Sequence, residues 1–259
     1  MFVATSAPGK FPVGAILCSP HSVAELLEEI GLLLKDKARS PRTILCVNSH
    51  IYNLACQDEH LRAVLNQARI TAADGMAIVW AGRLLGGHFR ERCNMTEAYH
   101  AFLRSPFLPP TKAILIGCSE EEARHAAETA NQNSRHCRIV KSYSGFLNES
   151  EYERIFSEQS EIELIFLGMG TPRTELIAAL AAKVCPSAVI WGIGGGTIRI
   201  EAGTLKEAPV FWRRLGIQWF YRLLKEPHAL WSRYLIGNPL FVLRIFRAAL
   251  ARRKGRRKE

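Results

Sequence analysis

Short apolar runs alternate with segments of helical periodicity along residues 11–191, and this alternation constrains the fold more than any other feature. The runs are continuously apolar, as in TILCV (43–47) and AILIG (113–117), which is typical of strands covered on both faces. We predict strands at 11–18, 43–47, 69–72, 113–117, 138–141, 163–167 and 188–191. Strands that alternate with helices predict an α/β fold with a doubly wound, mainly parallel, Rossmann-like sheet.

The segments between the runs carry helix signals. Val23, Leu26 and Ile30 recur at helical spacing and predict a helix that begins near Ser19 or Ser22 and ends near 37. Ser119 and Glu122 have the spacing of a capping box, which predicts a helix over 119–131. Further helices are predicted after Asn48 and at 76–85, 95–103, 149–157 and 174–184. After Gly203 the strand pattern stops and only helices follow.

Positive charge is concentrated in the last part of the chain. Residues 204–259 contain 14 Lys and Arg but only 3 Glu, a net charge of +11 in a chain whose net charge is +10. We predict three parts: a flexible leader over 1–10, an α/β body over 11–203 and a helical, basic appendage over 204–259. Charge segregated in this way favours contact with something anionic.

The cysteines and the apolar runs narrow the class of protein. Seven cysteines are scattered without a CxxC pair, which argues against a disulfide framework or a structural zinc site and fits a reducing cytosol. The start of the chain lacks a signal-peptide core. The segment PLFVLRIFRAALARRKGRRK (239–258) is interpreted as an interfacial helix, too short and too charged to span a bilayer.

Three turns at predicted strand ends could carry chemistry, because ligands of such sheets bind beyond the carboxyl ends of the strands. The turns are Asn48, the pair Asp74-Gly75, and the combination of GMGTPRTE (168–175) with GIGGG (192–196). A strand-end carboxylate can act as a general base, and glycine turns let backbone N–H groups approach phosphate. An ordinary Asp-Gly turn fits equally well, and GIGGG differs from the dinucleotide-binding fingerprint and can be a tight turn.

Taken together and in order, several motifs resemble the WecG/TagA/CpsF family of bacterial glycosyltransferases over about residues 13–240. The motifs are VNSHIYNLA (47–55), ADGMAIVWAGRLLG (73–86), ERCN (91–94), YSGF (143–146), GTPRTE (170–175), GIGGGTIRIEAGTLKEAP (192–209), LGIQWFYRLLKEP (215–227) and RYLIGNP (233–239). The resemblance implies transfer of a sugar from a UDP-sugar to a polyprenyl-diphosphate-linked acceptor in cell-surface polysaccharide or teichoic-acid-type biosynthesis. It also implies a cytoplasmic enzyme on the inner face of the membrane, in contact with anionic lipid.

The resemblance also assigns roles to individual residues. Asp74 falls on the proposed base, and Arg92 on the arginine that stabilises the leaving diphosphate. Arg222 and Arg233 fall on appendage arginines that close over the site. The other expected substrate-binding residues are Asn48, Gly75, Thr174, Glu175, Gly194, Gly195, Gly196 and Arg199. No metal ligand and no cofactor is expected.

Five residues depart from the family pattern. Thr174 stands where the family usually has Gln, and Ile198-Arg199 replaces an aromatic-Asp pair. Cys46 replaces a Thr, and Asn94 replaces a Gly. These departures affect the expected specificity for the nucleotide and the sugar more than the expected class of reaction.

Other interpretations remain open from the residues alone. The chain could be a sugar-nucleotide-binding protein whose active site has drifted, or a basic nucleic-acid-binding protein. Arg92 could be a surface arginine, and Glu175 could merely interact with a helix dipole. The sequence leaves homo-oligomer formation open.

Overall fold

The computed structural model describes residues 9–38, 40–159, 161–209, 211–212, 218–225 and 231–256. Its centre is a six-stranded sheet in the order β4-β3-β8-β7-β5-β6, in which every neighbouring pair is parallel. The strands are β3 (Thr43–Val47), β4 (Ile70–Ala73), β5 (Thr111–Gly117), β6 (Cys137–Tyr143), β7 (Leu164–Gly168) and β8 (Val189–Gly192). The predicted α/β, doubly wound fold is therefore confirmed.

Helices cover both faces of this sheet. Those of the body are α1 (Val23–Lys35), α2 (Ser49–Ala55), α3 (Glu59–Gln67), α4 (Met76–Leu84), α5 (Met95–Arg104), α6 (Glu120–Asn133), α7 (Glu149–Ser157), α8 (Arg173–Val184) and α9 (Gly195–Glu201). The Ser119–Glu122 capping box forms as predicted at the start of α6. The appendage contains α10 (Gln218–Lys225), a π-helical turn (Ser232–Ile236) and α11 (Gly237–Arg256).

The predicted single strand at 11–18 is wrong. This segment is an antiparallel hairpin of β1 (Phe11–Val13) and β2 (Ile16–Cys18), separate from the six-stranded sheet. The chain reverses at Gly14, whose φ of 60° favours glycine. Of the predicted leader, residues 1–8 lie outside the described residues, and Lys10 donates hydrogen bonds to the carbonyl oxygens of Asn66, at 3.0 Å, and Ala68.

Alternate residues of the strands contribute their side chains to two hydrophobic cores, one on each face of the sheet. Leu45, Ile165 and Ile190 belong to one core, and Ile44, Phe166 and Trp191 belong to the other. The second core contains edge-to-face ring contacts, such as the one between Phe102 and Trp191 at 5.6 Å. Because both faces are covered by helices, the central strands β7 and β8 are apolar and buried along their whole length.

The appendage helix α11 packs on α2 of the body. Phe241 is buried and its ring meets that of Tyr52 edge-on at 5.1 Å. Arg244 donates hydrogen bonds of 2.9 Å to the backbone and side-chain oxygens of Asn53, and Asn53 in turn donates to the carbonyl of Gly237 at 2.7 Å. These contacts fix the described part of α11 beside the carboxyl end of β3.

The sequence predicts that residues 239–258 are too short and too charged to span a membrane, but the apolar segment in the structure begins earlier, in the π-helical turn. The helical segment Ser232–Arg253 comprises 22 residues, and an 18-residue window within it has a mean hydropathy of 1.3, enough by length and composition to cross a membrane. Only 17% of that window is buried. Val242, Leu243 and Phe246 are the exposed apolar residues nearest the start of α11.

Candidate active site

A cavity of about 1050 Å³ opens at the carboxyl ends of the strands. Its walls come from the turns that follow β3, β4, β7 and β8, from one face of α4, and from the π-helical turn and α11 of the appendage. In a doubly wound sheet this edge is where ligands bind. The cavity is large enough for a nucleotide sugar or another drug-sized ligand.

Asp74 stands at the end of β4 and lines this cavity. Its backbone N–H donates to the carbonyl of Val47 on the neighbouring strand at 2.9 Å, so the turn is tied to β3. Gly75 follows with a φ of 134°, a conformation that a residue with a Cβ rarely adopts. Helix α4 then begins at Met76 without a side-chain cap. The first N–H groups of a helix favour a nearby anion, so this turn suits a phosphate as well as a carboxylate.

Asn94 holds the side chain of Asp74. Its Nδ2 donates to Oδ1 of Asp74 at 3.0 Å, while its own Oδ1 accepts the backbone N–H of Glu97 and caps α5. The segment is brought there by a hydrogen bond of 2.9 Å from the N–H of Cys93 to the carbonyl of Ala73. A cap residue with a fixed rotamer thereby fixes the direction of the carboxylate.

Arg92 lines the same cavity and forms an ion pair with Glu97 of the body. Its Nη2 lies 2.8 Å from Oε1 of Glu97, and its side chain is only 12% exposed. Glu97 therefore contacts both Asn94, through its backbone N–H, and Arg92, through its side chain. The guanidinium group has five N–H donors in a fixed plane, and the contact with Glu97 helps to set its orientation.

The turn after β7 brings Thr174 and Glu175 to the cavity. The Thr174 hydroxyl accepts the N–H of Met169 at 3.0 Å and so closes the turn. Glu175 is 3% exposed, and its Oε1 accepts a hydrogen bond of 3.1 Å from the Thr171 hydroxyl. Its Oε2 has no hydrogen-bond partner among the described residues. Burial raises the pKa of Glu175 to about 7, which makes it a buried carboxyl group able to bind a ligand polar group.

The glycine run after β8 forms the start of α9 rather than an extended loop. Gly194 precedes the helix with a φ of 81°, and Gly195 and Gly196 begin it. The Thr197 hydroxyl lies 2.8 Å from that of Thr96, which joins α9 to α5. Further along α9, Arg199 lies 3.8 Å from Glu122. The described glycines therefore present backbone, without side chains, to the cavity.

Two residues close the cavity on the side of the appendage. Asn48 caps α2 through its Oδ1, which accepts the N–H groups of His50 and Ile51 at 3.0 and 3.1 Å, so its NH₂ group is the part that can contact a ligand. Arg233 lines the cavity from the π-helical turn. Burial, and then the charge of Arg233, lowers the pKa of His50. Burial, and then Asp74 and Glu175, raise the pKa of Cys46, which lies among these groups.

The cavity therefore brings together almost all of the residues singled out from the sequence. Its lining includes Asn48, Asp74, Gly75, Arg92, Thr174, Glu175, Gly194, Gly195, Gly196, Arg199 and Arg233. Arg222 belongs to α10, but its side chain lies outside the described residues. Sequence reasoning treated Asn94 only as a departure from a pattern, although an Asn directly before a helical segment is a signal for a cap. It also missed the cavity-facing side of α4.

Among the residues that the structure describes, no group of three or more His, Cys, Asp or Glu side chains could hold a metal ion. Within the described part of the chain, the Lys and Arg side chains that line the cavity are those of Arg92, Arg199, Lys206 and Arg233. The arrangement can bind an anionic ligand and can place a carboxylate next to it. Both functions are those expected of a group-transfer site that handles phosphate esters.

Comparison with known protein families adds an independent finding. The sequence matches the model of the glycosyl transferase WecG/TagA/CpsF family over residues 13–255. The match covers the body from residue 13 onward and extends through most of α11, beyond the 13–240 over which the motifs resemble the family. The cavity and the appendage that contributes to it therefore both lie within the matched region, and this chain belongs to the WecG/TagA/CpsF family of glycosyltransferases.

Proposed function

We propose that the protein transfers a sugar from a UDP-sugar to a polyprenyl-diphosphate-linked glycan in the synthesis of a cell-surface polysaccharide or a teichoic-acid-type polymer. The sugar is a hexose, an N-acetylhexosamine or a uronic acid. The single observation that carries the proposal is the placement of Asp74, oriented by Asn94, in a cavity that Arg92 also lines. Family membership supports the reaction class.

The proposed step is a displacement at the anomeric carbon. The acceptor hydroxyl oxygen forms the new glycosidic bond while its proton passes to the Asp74 carboxylate. The bond from the anomeric carbon to the diphosphate oxygen breaks, and the electron pair leaves with UDP. Attack on the side opposite the leaving group inverts the anomeric configuration. A positioned general base contributes about 10²–10⁴-fold to such a reaction.

Arg92 is the proposed partner of the leaving diphosphate, and Arg233 lines the same cavity from the appendage. Guanidinium groups match phosphate oxygens in a bidentate geometry and keep their charge at every physiological pH. The start of α4 next to Asp74 and the glycine run of α9 offer backbone N–H groups for the same charge. In this proposal these groups, with Arg222 from α10, take the role that a divalent cation has in other transferases.

We further propose that α11 holds the enzyme on the inner face of the membrane. Arg247, Arg252 and Arg253 are exposed, as are the apolar Val242, Phe246 and Leu250. Basic residues next to apolar ones are typical of interfacial helices. Because α11 also lines the cavity, an enzyme attached in this way would meet a lipid-linked acceptor at the membrane surface.

The test is an assay with the purified full-length chain. UDP-glucose, UDP-N-acetylglucosamine, UDP-N-acetylmannosamine and UDP-glucuronate are each offered with a polyprenyl-diphosphate-linked monosaccharide, and UDP release and the lengthened glycan are both measured. We expect one donor to give both products in equal amounts. Binding of UDP without release of any product would favour the sugar-nucleotide-binding alternative.

A further inference from the structure

The helices α4 and α11 contribute a second, apolar part to the same cavity. On α4 the lining residues Ala77, Trp80, Ala81 and Leu84 recur at helical spacing and form one face. On α11 the lining residues Asn238, Phe241, Val242, Ile245 and Phe246 do the same. Each face extends over about eight residues, or about 12 Å along its helix axis.

Each face carries large apolar side chains that are exposed. Trp80 and Leu84 are 61% and 57% exposed, and Val242 and Phe246 are 63% and 56% exposed. The other lining residues of α11, Phe241 and Ile245, are buried in the core and hold the helix in place. Large apolar side chains gathered along one opening are unusual on a soluble protein and mark a site for an apolar ligand.

Charge limits the kind of ligand that fits. Arg233 lies in the π-helical turn immediately before α11 and lines the same cavity as the two apolar faces. At the start of α4, Asp74 and Gly75 lie on the polar side, and Trp80 follows one to two turns later. A ligand that uses both parts therefore needs an anionic group near Arg233 and an apolar chain attached to it.

We propose that the channel between α4 and α11, defined by Trp80, Leu84, Val242 and Phe246, binds the first part of the isoprenoid chain of the acceptor. The diphosphate of the acceptor then lies next to Arg233, and its sugar hydroxyl extends toward Asp74. This inference rests on the proposed function, because it assigns a subsite to the lipid of that acceptor. It gives the appendage a specific role in substrate selection in addition to membrane contact.

The test compares binding of farnesyl diphosphate, below its aggregation concentration, with binding of inorganic diphosphate. The variant carries Trp80→Gln and Leu84→Gln, which place polar groups at two exposed helix positions where substitutions are usually tolerated. The matched control is Leu32→Gln on α1, an exposed leucine (44%) that is outside the cavity lining. Titration calorimetry with the full-length chain gives the Kd of each ligand.

We expect the parent to bind farnesyl diphosphate at least tenfold more tightly than inorganic diphosphate. The double variant should lose at least tenfold in affinity for farnesyl diphosphate and keep its affinity for inorganic diphosphate, and Leu32→Gln should change neither. Equal Kd values for the two ligands in the parent would overturn the proposal. An equal loss of affinity for both ligands in the double variant would also overturn it. The same holds if the parent dimerises through this face and the double variant becomes monomeric with an unchanged Kd for farnesyl diphosphate.

This binding experiment is separate from the transfer assay. If no donor is transferred but the chain-dependent binding is lost in the double variant, the proposed function fails and the channel stands. If transfer occurs but the double variant binds farnesyl diphosphate like the parent, the channel fails and the proposed function stands.

Discussion

The amide of Asn94 donates a 3.0 Å hydrogen bond to the carboxylate of Asp74, and its carbonyl oxygen caps α5. One side chain thus joins the proposed base to the start of the helix that also carries Glu97, the partner of Arg92. The cap fixes the Asn94 rotamer, and the rotamer fixes the carboxylate. Asn94 is therefore proposed as a positioning residue. Its effect on catalysis can be separated from its effect on the stability of the protein.

Asn94→Asp keeps a capping oxygen but replaces the N–H donor by a second carboxylate next to Asp74. We expect kcat to fall at least tenfold, and the acid limb of the pH–rate profile to move to higher pH, because two adjacent carboxylates disfavour ionisation. The control is Asn148→Asp, a change at the exposed cap of α7 that accepts from Glu151 in the same way. A pH–rate profile of Asn94→Asp that overlays the parent profile would refute the positioning role.

Arg92→Lys retains the positive charge but removes the planar fork that contacts Glu97. We expect kcat to fall by roughly tenfold or more, since an ammonium group cannot replace a bidentate contact with a diphosphate. Steady-state kinetics with the active donor provide the measurement, and Arg62→Lys, in the exposed pair with Glu59 on α3, is the control. If Arg92→Lys and Arg62→Lys both behave like the parent, the diphosphate is bound elsewhere.

Glu175 is expected to make the stability of the protein depend on pH. Burial raises its pKa to about 7 from an ordinary value of 4.5, so the folded state holds a proton that the unfolded state releases between these values. The contribution of Glu175 to the free energy of unfolding should therefore be greatest below about pH 4.5. It should fall as pH rises to about 7.

Glu175→Gln removes this titration while keeping the shape of the side chain. Relative to the parent, the variant should gain stability as pH rises from 4.5 to 8, by up to roughly 3 kcal/mol. Urea unfolding at several pH values measures the difference. Glu161→Gln, at a site that is 81% exposed, serves as the control. A stability difference between Glu175→Gln and the parent that is constant from pH 4.5 to 8 would contradict the buried, proton-holding state.

Membrane attachment is best tested by charge replacement, because deleting 240–259 would remove Phe241 from the core and Arg244 from Asn53. In Arg247→Gln with Arg253→Gln, two exposed cations are lost from α11. Each cation near an anionic leaflet contributes about 1 kcal/mol, so binding to phosphatidylserine vesicles should fall roughly tenfold or more at low salt. Added salt should weaken the binding of the parent by screening.

The control for this experiment is Arg138→Gln with Lys141→Gln, which removes the same charge from exposed positions on β6. Co-sedimentation compares the three proteins. Equal loss in both double variants would mean that net charge, rather than α11, drives the attachment.

Most of the body could be predicted from local pattern, because buried strands and capped helices leave local signals. The helix Glu149–Ser157 has the bounds that the sequence predicts, and the Ser119–Glu122 box begins α6. The hairpin at residues 11–18 was missed, because its reversal depends on the backbone of Gly14 and its residues are apolar throughout.

The site also contains residues that could be predicted from the sequence and contacts that could not. Asp74 could be selected because it ends a strand and precedes a glycine, and Arg92 could be selected only through the family resemblance. The bond from Asn94 to Asp74 joins residues 20 apart in sequence and depends on how the 90–94 segment returns to β4. The contact of Arg244 with Asn53 joins residues 191 apart. Such long-range contacts follow from tertiary packing, which local periodicity does not encode.

The central claim is that Asp74 is the base of sugar transfer, and Asp74→Asn tests it most directly. The amide keeps the size of the side chain but accepts a proton poorly. With the donor found in the transfer assay and a saturating acceptor, kcat should fall by about 10²–10⁴-fold. The Kd for UDP should stay within a factor of about two, because the proposed base contacts the acceptor hydroxyl. Turnover of Asp74→Asn at close to the parent rate, with the same Kd for UDP, would contradict the account.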